Sequence, residues 1–310
     1  RVTALTNGGG YAEYCAAPET QCLPWPAGFT AVQAASLPET FFTVWANLIL
    51  HGRFQPGDSV LVHGGTSGIG REFVDVFAKN GFEVWFTYFS DSEKPAEVAE
   101  SYPTGSVTGF KLDLADYASI ESLASALPST PDVLIHNAGL GSKTVEKVSN
   151  TPQGQAEALI KVNAIGTLWL NNLLLPKMLE RGSGKIILLS SVGGGVTQFP
   201  GFNYADGMSK AAIAFLGRTL GADLAQTGVD VFTICPGATN TPMFQASTLN
   251  HLNGEEQKKV IASLPKLRLI DPREIAELGY FLTTDAGKIL HGAVLDASMG
   301  LGVNPGLLLK

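Results

Sequence analysis

"SVLVHGGTSGIGREFVDVFAKNG", residues 59–81, decides the fold of this 310-residue chain. Its first part, SVLVHGG (59–65), is a continuous apolar run of the length of a strand buried on both faces. Its last part, REFVDVFAKNG (71–81), carries apolar residues at helical spacing and closes on glycine, which takes the left-handed backbone of a helix end without strain. Between them, HGGTSGIG (63–70) places Gly64, Gly68 and Gly70 in a G-x-x-x-G-x-G pattern. Small residues there let the backbone turn tightly and approach a pyrophosphate, while the helix behind offers free N–H groups and a partial positive charge. A strand, a glycine loop and a helix in that order point to dinucleotide binding.

The same alternation continues outward. EVWFTYF (83–89), VTGFKLDL (107–114), DVLIHNAG (132–139), KIILLSS (185–191), DVFTICPG (230–237) and GAVLDAS (292–298) read as further strands. Helices are expected at IESLASAL (120–127), at about 153–181 and at about 206–227. Another is expected at 271–284, where Asp271 is the cap and Pro272 the first residue. The most apolar segment, LWLNNLLLPKML (168–179), is interrupted by Asn171, Asn172 and Pro176 and reads as a buried helix. Regular strand–helix alternation implies an α/β protein with a doubly wound parallel sheet covered by helices on both faces.

Composition narrows the function. A hydrophobic fraction of 45% with 35 glycines suits an α/β domain rich in tight turns. A formal charge of −7 argues against nucleic-acid or acidic-membrane partners, because no excess positive charge is available to displace counterions. The basic cluster EEQKKV (255–260) is a mixed-sign helix face. Cys15, Cys22 and Cys235 have no metal-ligand spacing, so no metal site is expected; their odd number suggests reduced thiols and a cytoplasmic setting. No apolar run reaches the roughly 18 residues that cross a bilayer.

From residue 58 to about 303 the chain resembles a short-chain dehydrogenase/reductase with a Rossmann-type sheet. The likeness rests on motifs in the family's order: the glycine loop, LDL with Asp113, NAG at 137–139, KVNAIG with Asn163, LLSS ending at Ser191, Lys210, and CPGATNT at 235–241. The resemblance implies that Gly64, Thr66, Ser67, Gly68, Ile69 and Gly70 cradle a pyrophosphate. It puts Asp113 and Leu114 at the adenine, and Asn137, Ala138 and Gly139 along the ribose. Lys210 would hold the nicotinamide ribose, and Pro236, Gly237, Thr239 and Thr241 would lie by the carboxamide. Ser191 would hydrogen-bond the substrate oxygen, and Asn163 would hold a water in the proton path. Each of the last two has a plainer reading, Asn163 at a helix kink and Ser191 bonded to backbone at a strand end. The expected activity is reduction of ketones or oxidation of secondary alcohols, with a homodimer or homotetramer as the assembly.

An acidic residue closing the second strand would accept from the ribose 2′-OH of NAD. That place falls at Tyr88 or Phe89, followed by Ser90, which could donate to a 2′-phosphate; Arg71 and Lys94 are near in sequence, and Asp91 and Glu93 come late. NADP(H) is therefore favoured over NAD(H).

Residues 1–65 are similar to a different family, the quinone-oxidoreductase branch of the medium-chain dehydrogenase/reductases, in the segment leading to the first Rossmann strand. The chain then reads as a chimera: an appendage over 1–57 and a dehydrogenase domain over 58–310. Strands in residues 1–25, lacking the rest of a barrel, are expected to pair with another subunit or to fold back on the sheet.

The stretch FNYADGMSKAAIAF (202–215) departs from the family. Its tyrosine and lysine must stand at i and i+4 to share a helix face, yet four residues before Lys210 is Asp206. Tyr204 is six residues from Lys210, about 240° round a helix. It does stand at the family's usual interval of 13 from Ser191. Loop lengths vary and helix geometry does not, so the lysine is the better reference. An aspartate ionises at about pH 3.9, lower still beside an ammonium, and keeping one protonated at pH 7 takes on the order of 4 kcal/mol. Asp206 thus suits a base better than an acid, directly or through water. It could instead merely cap a helix starting at 207, with Tyr204 acting from the loop before it. Three functions follow: an NADP(H) oxidoreductase with an atypical site, a nucleotide-binding partner or regulatory subunit with impaired turnover, or a non-redox enzyme using Asp206 as base. Substrate choice falls to a helical lid at 243–267, whose Met243, Phe244 and Leu249 suggest a partly apolar pocket.

Overall fold

A computed structural model describes residues 2–4, 17–19, 22–35, 57–89, 94–199 and 201–305. The chain divides into two units, residues 1–55 and 56–310. In the first, strands β1 (Val2–Ala4) and β2 (Cys22–Pro24) pair antiparallel. Residues 31–35 are helical, and the Thr3 hydroxyl donates to the Ala34 carbonyl at 2.6 Å. The two strands pair with each other along one edge of each, as a two-stranded sheet of their own.

The second unit holds seven parallel strands: β3 (Ser59–His63), β4 (Glu83–Tyr88), β5 (Val107–Lys111), β6 (Val133–His136), β7 (Gly184–Leu189), β8 (Val229–Pro236) and β9 (Val294–Ala297). They lie in the order β5-β4-β3-β6-β7-β8-β9. The chain winds outward from β3 to β5, then returns and winds the other way from β6, so the order reverses between β3 and β6. Every residue of β3, β6 and β7 is buried, which is why those runs are apolar without alternation. Most strands end one to three residues before the apolar runs do. Most of the surplus residues leave the sheet at its carboxyl edge and line the crevice there.

Helices α1 (Gly68–Lys79), α2 (Lys94–Glu100), α3 (Tyr117–Ala126), α4 (Pro152–Ile160), α5 (Thr167–Arg181), α6 (Tyr204–Asp223), α7 (Gly254–Ser263) and α8 (Pro272–Thr283) surround the sheet. The first begins inside the glycine loop, earlier than its apolar pattern suggests. It ends at Asn80, and Gly81 follows at φ +85°. Asp271 caps α8 as expected, with Glu274 completing a capping box. Side chains of α3 and α5, including Ile120, Leu170, Leu174 and Met178, pack against Leu61, Trp85, Leu134 and Ile186 of the strands. Each such buried side chain contributes about 1.5–3 kcal/mol. On α1 and α8, the Phe77 and Tyr280 rings meet edge to face with centroids 5.5 Å apart.

Residues 152–181 run as one helix, wound as a π-turn at Lys161–Gly166. By length and composition it is the one helix among the described residues that could cross a bilayer, with mean hydropathy 1.3. Scattered polar residues hide this from a search for unbroken apolar runs. Its apolar side is part of the core.

Candidate active site

The crevice at the carboxyl edge of β3, β4, β6, β7 and β8 encloses about 930 Å³. That is within the range of roughly 300–1,000 Å³ found for ligand sites, and it sits where the strand order reverses. Gly64, Thr66, Ser67, Gly68 and Ile69 line one end. Gly64 has φ +78°, and a Cβ on it would come within 2.7 Å of the Ala138 side chain. Gly70 is not a lining residue. A Cβ there would be 2.0 Å from the Gly64 carbonyl oxygen, so the third glycine lets helix α1 pack beneath the loop rather than cradle a ligand. The Asn137 amide donates to the carbonyls of His63 and Gly64 at 3.2 and 3.1 Å, fixing the loop from the neighbouring strand. A turn shaped by glycine, with the first residues of α1 opening onto a crevice of this size, fits a dinucleotide.

Tyr88, Phe89, Asp113 and Leu114 line the same space, and one Asp113 oxygen accepts from the Ala115 N–H at 2.8 Å. Ser90, Asp91 and Glu93 lie outside the described residues. Arg71 does not line the crevice and pairs with Asp75 at 3.1 Å. Ala138 and Gly139 follow Asn137 along the wall. Opposite them come Pro236, Gly237, Thr239 and Thr241, with the Thr241 hydroxyl accepting from the Phe244 N–H at 3.2 Å.

At the other end, Ser191 lines the crevice and its Oγ accepts from the Gly193 N–H at 3.2 Å. The Ser190 hydroxyl donates to the Lys210 carbonyl at 2.7 Å, tying β7 to α6. Asn163 sits in the π-turn, only 2% exposed. Its amide donates to the Leu140 carbonyl at 2.9 Å and to Ser209 Oγ at 3.0 Å, and its oxygen accepts from the Leu140 N–H at 2.7 Å. Both of its side-chain N–H bonds are therefore given to protein, and they clamp the loop after β6 onto α6.

Helix α6 settles the geometry of the misplaced tyrosine. It begins at Tyr204, with Asn203 as cap, whose oxygen accepts from the Asp206 N–H at 3.0 Å. Asp206 is therefore not the cap, and Tyr204 is not in the preceding loop. Tyr204 is 90% exposed and does not line the crevice. Asp206 is 7% exposed and lines it together with Lys210, one turn on. Burial holds the Lys210 ammonium below the usual lysine range, with the Asp206 charge opposing that shift. The Lys210 Nζ is 3.4 Å from where a Cβ on Gly139 would stand, so the absent side chain leaves it room. Burial pushes the nearby Cys235 thiol up to about 11, which keeps it protonated and inert as a nucleophile. Cys22 and Cys235 are free thiols, and Cys15 lies outside the described residues.

The segment after Thr241 forms a turn at Pro242–Phe244, a π-turn at Gln245–Leu249 and then α7. Met243, Phe244, Ser247 and Thr248 line the crevice, whereas Leu249 is a core residue at 2% exposure and not part of the pocket. Three residues that the sequence did not single out belong to the site. Phe202 lines it, Ser209 links Asn163 to the Asp206 carbonyl, and Ser142 donates its hydroxyl and its N–H to Asp206 Oδ2 at 2.8 and 3.1 Å. Ser142 stands in the loop after NAG, and no spacing rule connects that loop to α6.

Residues 64–302 match a family model described as enoyl-(acyl carrier protein) reductase. The oxidoreductase UcpA of Salmonella typhimurium is 32% identical over 256 residues, 79% of this chain and 95% of that protein. A 2-keto-3-deoxy-L-fuconate dehydrogenase of Xanthomonas campestris is 33% identical over 239 residues, 76% of this chain and 77% of that protein. Among solved structures, an actinorhodin polyketide ketoreductase with NADPH aligns at TM-score 0.71 and 27% identity, over 80% of this chain and 98% of that one. The strand order, the glycine loop at the switch point and these likenesses agree: the chain belongs to the short-chain dehydrogenase/reductase family of oxidoreductases.

Proposed function

We propose that the chain is an NADP(H)-dependent oxidoreductase interconverting a ketone and a secondary alcohol, with Asp206 in the place of the family's tyrosine. The observation that carries this is the shared face of α6: Asp206 and Lys210 both open on the crevice that the glycine loop lines, while Tyr204 is turned to solvent. The nicotinamide, when bound, supplies or accepts the hydride. Gly64, Thr66, Ser67, Gly68 and Ile69 hold the pyrophosphate, Asp113 and Leu114 the adenosine end, and Asn137, Ala138 and Gly139 the ribose. Lys210 holds the nicotinamide ribose, and Pro236, Gly237, Thr239 and Thr241 flank the carboxamide. Ser191, whose oxygen already accepts from Gly193, keeps its own hydrogen to donate to the substrate oxygen. Asn163 acts as a positioning residue. The Asp206 carboxylate, an acceptor toward Ser142, suits the base that takes up a proton as an alcohol is oxidised.

NADP(H) is favoured because no acid stands at Tyr88 or Phe89, and because related structures are described with NADPH or NADP. The same reading takes residues 1–57 as an appendage of quinone-oxidoreductase type, supported by sequence likeness alone. It takes the assembly as a homo-oligomer, supported by an exposed apolar stripe of Tyr204, Met208 and Phe215 on α6.

The test is nucleotide turnover with a panel of ketones and secondary alcohols, comparing the native chain with Asp206→Asn. Loss of a measurable rate supports the assignment, and an unchanged rate removes Asp206 from the chemistry. Tight NADPH binding without any turnover would instead favour a nucleotide-binding partner or regulatory subunit.

A further inference from the structure

Asp206 is shorter than a tyrosine by most of a ring. A carboxylate at its position leaves a gap in front of it that a tyrosine hydroxyl would have reached across. The loop after β6 places a second hydroxyl beside it. Ser142 Oγ lies 2.8 Å from Asp206 Oδ2, and the Ser142 N–H donates to the same oxygen at 3.1 Å. Both donors fall on Oδ2, so the contact fixes the carboxylate's rotation as well as its distance. Ser142 itself lines the crevice, as Asp206 does.

The loop that carries Ser142 is held with unusual care. Asn163 takes both backbone groups of Leu140. The Gly141 N–H donates to Thr144 Oγ1 at 2.7 Å, and the Val145 N–H closes a turn back to the Gly141 carbonyl at 3.0 Å. Asn163 also reaches Ser209, whose hydroxyl donates to the Asp206 carbonyl at 2.7 Å. One buried amide therefore registers Ser142 and Asp206 against each other from two different elements. A helix cap or a solubilising surface serine needs no such registration.

We propose that Ser142 supplies the hydroxyl that exchanges a proton with the substrate, and that Asp206 is the base behind it. This rests on the oxidoreductase reading above. In the oxidative direction the substrate O–H bond breaks and its proton goes to Ser142 Oγ, as the Ser142 O–H bond breaks and its proton goes to Asp206 Oδ2. The substrate carbon gives its hydride to the oxidised nicotinamide cofactor, which is the oxidant, and a carbonyl forms. Reduction is the reverse, with the protonated carboxyl group returning its proton through Ser142. The pair thus does with a serine and an aspartate, drawn from two elements, what a single tyrosine does elsewhere.

The experiment combines rates with unfolding of the nucleotide-free protein. In rates, Ser142→Ala should lower kcat about 10²-fold with KM changed less than about threefold, and Ser142→Thr should restore most of it because the hydroxyl returns. Asp206→Asn combined with Ser142→Ala should be no slower than Asp206→Asn alone, since the two act in one path. In thermal unfolding without nucleotide, Ser142→Ala should lower Tm by about 3–8 °C in the native background and by much less beside Asp206→Ala, which reads the contact independently of turnover. A Ser142→Ala rate within twofold of native, while Asp206→Asn is inactive, overturns the relay and leaves the oxidoreductase reading standing. An Asp206→Asn rate within twofold of native removes Asp206 from the chemistry and overturns the relay with it.

Discussion

Tyr204 and Asp206 are two residues apart, which is about 200° round a helix. The rotation that puts Asp206 into the crevice at 7% exposure therefore turns Tyr204 out to 90%. We expect Tyr204→Phe to keep kcat within about twofold. Asp206→Asn, which keeps the shape and loses the base, should fall by about 10²–10⁴-fold, the usual contribution of a positioned acid or base. Steady-state rates with one active alcohol decide both. This part of the site was legible because Lys210 and Asp206 share one rigid helix. The competing count of 13 from Ser191 runs through residues 192–203, whose length nothing rigid sets. Reading Asp206 as a possible cap failed because the cap depends on where the first turn begins, and Asn203 begins it three residues earlier. Ser142 was out of reach because its contact with Asp206 spans 64 positions and follows no local rule.

Elements were legible wherever burial is uniform, as in β3, β6 and β7, and blurred wherever backbone leaves them for the crevice. Gly70 shows the difference: the G-x-x-x-G-x-G pattern names it, yet only packing says that it serves the strand–helix junction. Gly70→Ala would force a Cβ to 2.0 Å from the Gly64 oxygen and 2.5 Å from Asn137 Nδ2, so the loop must open. Nucleotide affinity should drop at least about tenfold, with a lower Tm; unchanged NADPH titration would show that the loop yields without harm. Strands β3 and β6 also carry a buried pair, His63 beside His136 in register, with ring centroids 6.2 Å apart. Burial pushes both imidazoles down to about 3, and for His63 the neighbouring imidazole adds to it. In the unfolded chain they titrate near 6.5. Between those values the unfolded state binds more protons, so stability is full above pH 6.5 and falls as the pH drops toward 3. The pair accounts for a loss on the order of 4 kcal/mol between pH 8 and pH 5. Denaturant unfolding across that range measures it, and His136→Asn should remove about half of the slope.

At the scale of the whole molecule, the next expectation is self-association. The surface gives a reason to expect it. Tyr204, Met208 and Phe215 are 90%, 63% and 66% exposed and fall within about 40° of one another on α6. The adjoining helix 152–181 exposes Ile165 and Leu168 as well. Large apolar side chains gathered on one face mark an interaction site more often than scattered ones do, and burying each in a contact contributes about 1.5–3 kcal/mol. A second copy of the chain is the simplest partner, since a two-fold axis lets one helix face bury its own equivalent. This also gives Tyr204 a use that its distance from the crevice otherwise denies it. Sedimentation at micromolar concentration should show a dimer or tetramer, and Phe215→Glu, which forces a charge into that contact, should yield monomers that keep the native circular dichroism. A native chain that sediments as a monomer would leave the stripe without this role, and the proton chemistry inside the crevice would stand unaffected.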